Sequence, residues 1–161
     1  MNSKSSIAIV GSGAVGSYYG ARLAQAGMDV RFLLRSDFDH VSKHGMKINS
    51  VDGDFELKKV NCARSSEEIG PVDLVIIAWK TTSNSHYDSV ITPLLHEETE
   101  ILTLQNGLGS ADELARLFGP RRIYGGLCFV CINRLGPGQI NHPASGLIRV
   151  GKYRSSGRAL E

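Results

Sequence analysis

A chain of 161 residues is the size of one ordinary domain, long enough to bury a substantial core. Its 42% hydrophobic and 21% charged residues describe a globular protein and not a disordered one. A formal net charge of +2, with basic residues scattered and not interleaved with aromatics, argues against a nucleic-acid binder. No apolar run reaches membrane-spanning length and the first residues show no signal-peptide pattern, so the expected location is the cytoplasm.

The run Ile7-Ala8-Ile9-Val10 predicts a strand buried on both faces, followed without a break by Gly11-Ser12-Gly13-Ala14-Val15-Gly16. In a Gly-x-Gly-x-x-Gly turn between strand and helix, the first glycine permits the tight turn. The second lets backbone approach a pyrophosphate, and the third lets the helix pack closely on its strand. The helix N-terminus then offers unpaired N–H groups and the positive end of a dipole to phosphates. Val15, Tyr19, Leu23 and Ala26 mark the apolar side of that helix, which Gly27 is placed to stop. A second strand, Asp29 to Leu34, ends at Arg35, 19 residues beyond Gly16. An NAD site would carry an acid here for the ribose 2′-hydroxyl, whereas a guanidinium suits the 2′-phosphate of NADP(H), with Ser36 as an added donor. The alternative is that Arg35 is a solvated surface residue and Asp37 is the ribose ligand.

His40 and His44 are spaced to share one face of a short helix, with Asp37 as the one third ligand within reach; no metal site is expected from them. Met46 to Asn49 and Phe55 to Val60, separated by the turn pair Asp52-Gly53, predict a hairpin inserted into the pattern. Ser65 and Glu68 form a capping box for a short helix ending near Gly70. Val72 to Trp79 is the clearest buried strand, and Lys80 follows it. Ligands of open α/β sheets bind outside the carboxyl ends of strands, so Lys80 is placed to meet a cofactor or an anionic substrate. A helix through Tyr87, Val90 and Ile91 is broken at Pro93.

Thr99 to Gln105 predicts the next strand, with Asn106-Gly107-Leu108-Gly109 at its carboxyl end. Asn106 is either a donor and acceptor for a bound ligand or part of a structural Asn-Gly turn. Ser110 and Glu113 predict a second capping box, for a helix through Leu114 and Leu117. Strands are then predicted for Ile123 to Ile132 and Gly146 to Val150, around Gly136-Pro137-Gly138. Cys128 and Cys131 fit a CxxC spacing, but residues three apart on a strand point to opposite faces, so these, like Cys62, are expected to be buried structural cysteines. The whole predicts an α/β fold: a Rossmann-like, doubly wound, mostly parallel sheet with an antiparallel extension near the C-terminus. Residues 1–154 form the dinucleotide-binding domain, and 155–161 read as a loop entering one turn of helix.

Gly11 to Gly16, Leu34-Arg35, Trp79-Lys80-Thr81, Leu104-Gln105-Asn106-Gly107-Leu108-Gly109 and His142-Pro143-Ala144-Ser145-Gly146 occur in this order. Together they resemble the amino-terminal domain of the ketopantoate reductase (2-dehydropantoate 2-reductase) family over nearly the whole chain. The resemblance implies an NADP-dependent oxidoreductase of pantothenate biosynthesis, reducing the 2-keto acid ketopantoate to pantoate. It implies that Gly11, Ser12, Gly13, Ala14, Val15 and Gly16 hold the pyrophosphate, and that Arg35 holds the 2′-phosphate. Lys80 and Asn106 would lie near the nicotinamide and the substrate. The resemblance also implies that residues 155–161 open a helical carboxyl-terminal domain that the chain does not include and that carries the family's general-acid lysine, so this segment is expected to bind NADP(H) without turning over alone. Two alternatives stay open: a non-catalytic NADP-binding module, and a family member acting on another hydroxy or keto acid. Oligomeric state is not encoded in these patterns.

Overall fold

The structure, a computed structural model, describes residues 5–154; the predicted start of a further helical domain at 155–161 lies outside the described residues. The chain runs through β1 (Ser6–Val10), α1 (Ala14–Gln25), β2 (Asp29–Leu33), α2 (Phe38–His44), β3 (Met46–Ser50), β4 (Phe55–Leu57) and β5 (Cys62–Ala63). It continues with α3 (Ser66–Ile69), β6 (Leu74–Ile77), α4 (Tyr87–Ile91), β7 (Glu100–Thr103), α5 (Ser110–Phe118), β8 (Ile123–Gly136) and β9 (Gln139–Lys152). Nine strands form one sheet in the order β4-β3-β9-β8-β7-β6-β1-β2-β5. The stretch from β8 to β5 is parallel throughout, while β9 on β8 and β4 on β3 are antiparallel. This is the predicted doubly wound sheet with its antiparallel extension.

Alternation along β1 explains the two layers. Ile7 and Ile9 enter a core with Tyr18 and Ala21 of α1, while Ala8 and Val10 enter a core with Tyr87, Ile91 and Leu114 on the other face. Ile7, Ala8, Ile9 and Val10 are all fully buried. Burying each of the larger side chains contributes roughly 1.5–3 kcal/mol, so β1 is the strand around which both layers close.

The packed face of α1 is broader than the predicted one: Val15, Tyr19 and Leu23 do pack against the core, while Ala26 does not. Gly16, Ser17, Tyr18, Gly20 and Ala21 are buried, Val15, Tyr19 and Leu23 are half-buried, and Ala26 is exposed. A Cβ on Gly20 would lie 2.6 Å from the Phe32 ring and 2.8 Å from Ile9. The helix approaches the sheet too closely for large residues at the contact, so they flank it. Gly27 ends the helix as predicted, at φ +85° with its N–H donating to the Ala24 carbonyl at 3.0 Å.

Ser65 caps α3 by accepting from the Glu68 N–H at 3.3 Å, although the Glu68 carboxylate accepts from Arg64 N–H and not from Ser65. The second predicted box does not form. Gly109, in the left-handed region at φ +90°, is the N-cap of α5, and Ser110 lies one position inside the helix and buried. The inserted hairpin is present, with Met46 opposite Leu57, but its partner is remote: β3 runs parallel to β9, Ser50 opposite His142. Strand β9 also begins earlier than predicted, at Gln139. It carries Pro143 through an irregular stretch where the register with β8 shifts and Ser145 takes φ +58°, a placement that a proline tolerates. A cluster at this junction pins α1 to both strands. The Ser50 hydroxyl lies 2.8 Å from Nδ1 of the fully buried His142, Tyr18 packs on that ring, and Arg22 donates to Ser50 at 3.0 Å. On the other face of the β8–β9 pair, Leu127, Phe129 and Leu147 are exposed. Among the described residues no helix is long and apolar enough to cross a membrane.

A tight point of the framework beside the end of β6 is Gly11, at φ +97°, where a Cβ would lie 2.2 Å from the Trp79 backbone nitrogen. Gly11→Ala is expected to cost about 2–5 kcal/mol, from the left-handed backbone plus a clash with backbone that cannot move aside. Gly27→Ala meets the same kind of φ in open space and is expected to cost only about 1–2 kcal/mol. Denaturant unfolding of both variants checks this, and equal losses would show that the β1–β6 contact is not tight.

Candidate functional site

At the carboxyl end of β1 the chain order reverses: α1 leads to β2 on one side, whereas β6 on the other side continues to β7. Open α/β sheets have their crevice at such a point. A cleft of about 560 Å³ lies there, lined after β1 by Gly11, Ser12 and Gly13, after β2 by Leu33 to Asp37, and after β6 by Ala78, Trp79 and Lys80.

The glycine turn has three different environments. A Cβ on Gly16 would lie 2.3 Å from the Gly11 carbonyl oxygen, so both of these glycines serve packing. Gly13, by contrast, has nothing within 4 Å of the position its Cβ would take. Its exposed backbone borders open cleft, the room a pyrophosphate needs beside the first turn of α1. The first helical N–H to find a backbone acceptor is that of Ser17, on the Gly13 carbonyl at 3.0 Å, and no acidic side chain occupies the first turn. The residues therefore fit a bound dinucleotide phosphate. The Ser12 hydroxyl is directed elsewhere, donating to the Leu33 carbonyl at 3.1 Å, which ties the turn to the end of β2.

Three cations and one carboxylate share the cleft wall: Arg35, Lys80, Arg134 and Asp37. Arg35 and Lys80 are exposed, and neither has an ion-pair partner among the described residues. Asp37 is buried and committed. Arg134 Nε donates to Oδ2 at 3.0 Å, a second guanidinium nitrogen donates to Oδ1, and the Ser36 hydroxyl donates to Oδ1 at 3.0 Å. Burial alone would push this carboxyl up. The hydrogen bonds from Arg134 and Ser36, the guanidinium charge and the Gly138 backbone outweigh it and hold the carboxyl below its ordinary range. Two sequence expectations change here: Asp37 is engaged by protein and does not present itself to a ribose, and Ser36 donates to Asp37.

Of the predicted residues, the cleft wall brings together Gly11, Ser12, Gly13, Arg35 and Lys80. Asn106 is exposed in the loop after β7 and is not part of that wall; Ala14, Val15 and Gly16 lie behind it in α1. The loops after β6 and β7 are nevertheless cross-tied. Tyr87, fully buried and stacked on Trp79 with ring centroids 5.6 Å apart, donates to the Gln105 side chain. Gln105 in turn donates to Asn84 at 2.8 Å. The indole N–H of Trp79 is buried without a hydrogen-bond partner among the described residues. Sequence reasoning missed Thr82, Ser83 and His86, which line the cleft because residues Thr81–His86 coil tightly as a 3₁₀ helix, and it missed Arg134. No local signal could have found Arg134, which reaches Asp37 across 97 positions. The His40 and His44 rings do share a face of α2, 4.9 Å apart, but among the described residues no three His, Cys, Asp or Glu side chains are grouped to hold a metal ion. Cys128 is half-buried and Cys131 exposed on opposite faces of β8, as strand geometry required, but the expected burial is not met: Cys62 is also only half-buried, and Cys131 lies on the face of β8 that looks outward.

Residues 7–155 match the sequence profile described as ketopantoate reductase PanE/ApbA. A 2-dehydropantoate 2-reductase from Nostoc sp. is 43% identical over 91% of this chain and 46% of its own length. The crystal structure of 2-dehydropantoate 2-reductase from Geobacter metallireducens superimposes with a TM-score of 0.90 at 51% identity, covering 94% of this chain and 51% of that one. The ternary structure of D-mandelate dehydrogenase with NADH and anilino(oxo)acetate is also similar, with a TM-score of 0.82 at 28% identity over 94% of this chain and half of that one. The chain belongs to the ketopantoate reductase family, and it spans about half the length of the relatives it matches.

Two outcomes are expected from the geometry of the cleft. Gly13→Val adds a side chain to space that is open in the fold, so unfolding free energy is expected to change by less than about 1 kcal/mol while dinucleotide affinity falls at least about tenfold. Unchanged affinity in isothermal titration would place the phosphates elsewhere. Asp37 has an ordinary value of 3.8 that the fold lowers, so its contribution to stability is complete above that pH and is lost as the pH falls through the depressed value. Unfolding free energy measured from pH 6 down to pH 3 is expected to fall less steeply in Asp37→Asn than in the unmodified chain.

Proposed function

We propose that this member of the ketopantoate reductase family is the NADPH-binding half of a 2-keto acid reductase, converting ketopantoate to pantoate in the full-length protein. The observation that carries the reading is the cleft in which an open glycine turn at a helix N-terminus meets an exposed guanidinium at the end of β2 and an exposed ammonium at the end of β6. The names of the relatives support the substrate, and the half-length match supports a further domain that completes the pocket.

The coenzyme, when bound, supplies a hydride for the keto carbon. The chain's own residues bind and orient. Backbone N–H groups at Ala14, Val15 and Gly16 take the pyrophosphate beside Gly13, and the helix dipole adds to their pull. Arg35 forks onto the 2′-phosphate with paired charge-assisted hydrogen bonds. Lys80 places a positive charge where negative charge develops on the substrate carbonyl oxygen, and Asn106, on the neighbouring strand-end loop outside the cleft wall, is the candidate to meet the part of the ligand that extends beyond it. The proton donor is assigned to the further half that the longer relatives possess, not to Lys80. A variant of this reading, in which the acid is a different 2-keto acid, draws on the similarity to D-mandelate dehydrogenase.

Titration with NADPH and NADH tests the coenzyme. NADPH is expected to bind about 10–100-fold more tightly, and Arg35→Ala is expected to remove most of that preference. Equal affinities in the unmodified chain would sink the assignment. The same preparation mixed with ketopantoate and NADPH is expected to show no appreciable oxidation of the coenzyme. A rate like that of a two-domain reductase would contradict the division of labour between halves.

A further inference from the structure

Arg134 has no place in the glycine turn, the end of β2 or the end of β6, yet it stands in the wall of the cleft beside Arg35, Ser36 and Asp37. It comes from β8, just before that strand turns through Pro137-Gly138 into β9. We propose that Arg134 is a coenzyme-specificity residue: by pairing with Asp37 it turns a carboxylate-bearing ribose site into one that accepts a 2′-phosphate. The inference rests on the NADPH reading above.

An acid near the end of the second strand of a doubly wound sheet ordinarily accepts from the ribose 2′-hydroxyl and repels a phosphate in the same place. This chain does carry such an acid, two residues after Arg35. What differs is its engagement. Both Asp37 oxygens accept from the Arg134 guanidinium, and Oδ1 also accepts from the Ser36 hydroxyl at 3.0 Å. The paired fork is the strong geometry for a guanidinium and a carboxylate. Asp37 retains 7% of its surface, so little of it is left for a ligand, whereas the Arg134 side chain keeps 36% of its own exposure. At this end of the cleft Arg35 and Arg134 therefore face one carboxylate, leaving one positive charge in excess, with the negative partner tucked away from the ligand. Without Arg134 the balance is neutral and the carboxylate is unengaged on one side. Arg134 thus acts through Asp37, as a positioning and charge-setting residue that the hairpin delivers from 97 positions away.

The test is a coenzyme titration of the 161-residue chain with Arg134→Ala, Asp37→Asn and the double variant, each checked for an intact melting transition. Arg134→Ala is expected to lower the NADPH-to-NADH affinity ratio at least tenfold, because the freed carboxylate repels the 2′-phosphate and accepts from the ribose hydroxyl. The double variant is expected to recover most of the ratio, since no carboxylate remains to be neutralised. Asp37→Asn alone is expected to raise the ratio above that of the unmodified chain, and it carries the test if Arg134→Ala does not fold. A purely structural pair would weaken both coenzymes by the same factor and give no recovery in the double variant; either result overturns the inference. A ratio lost in Arg35→Ala but kept in Arg134→Ala overturns this inference and leaves the NADPH reading standing. Failure of the unmodified chain to bind either coenzyme overturns both.

Discussion

The backbone of Gly11 meets the backbone of Ala78 and Trp79 more closely than any side chain would permit, and the rest of the molecule is arranged about that contact. Strands β1 and β6 run in register from Ile7 and Leu74 to Val10 and Ile77, with the Ala78 N–H closing the ladder on the Val10 carbonyl. Beyond that last hydrogen bond the two chains separate to opposite faces of the sheet. A helix can follow β1 at once only because Gly11 turns in the left-handed region and Gly16 lets α1 begin against the turn. The crevice is what remains between two chains that part company so abruptly.

That separation would leave a wide, soft gap if the strand ends were independent. They are laced together instead. Ser12 holds the glycine turn to the end of β2, Gln105 and Tyr87 hold the end of β7 to the segment after Lys80, and Arg134 holds the β8–β9 hairpin to the start of α2. Each tie joins neighbours around one rim, so the charges on that rim are held before any ligand arrives. Ligand binding to such a site is spared part of the ordering cost that a mobile set of loops would impose. The ties also explain why the exposed cations are the functional candidates: of the charged groups in the cleft wall, Arg134 and Asp37 are occupied with one another, and Arg35 and Lys80 face the cleft without an ion-pair partner among the described residues.

Legibility followed the range of each interaction. Strands β1, β2 and β6 are short apolar runs whose burial depends on little besides their own residues, and the turn at Asp52-Gly53 sets its hairpin by local backbone preference. The face of α1 is legible only in part: Val15, Tyr19 and Leu23 pack against the core as their spacing predicts, but close packing of helix on sheet also places glycine, serine and alanine at the contact, which apolar periodicity does not mark. The start of α5 was misread because the φ of Gly109 outweighed the capping preference of Ser110. Strand β9 was read too short because Pro143 normally ends a strand and here falls where the register with β8 shifts. In the site, Arg35 and Lys80 were placed by strand-end position, whereas Asn106 shares that logic and still lies off the cleft wall.

The sequence by itself determined the strand–turn–helix unit with its three glycines, the parallel sheet that follows from it, and the cation at the end of the second strand. Those features depend on contacts between residues close in the chain, and local backbone sterics and side-chain alternation suffice to read them. Only the tertiary structure decided which residues complete the cleft. The pairing of β3 with β9 and the reach of Arg134 to Asp37 join segments about 90 or more residues apart. Such pairings are selected by the register of a hairpin within the whole sheet, a collective choice that no local pattern along the chain encodes.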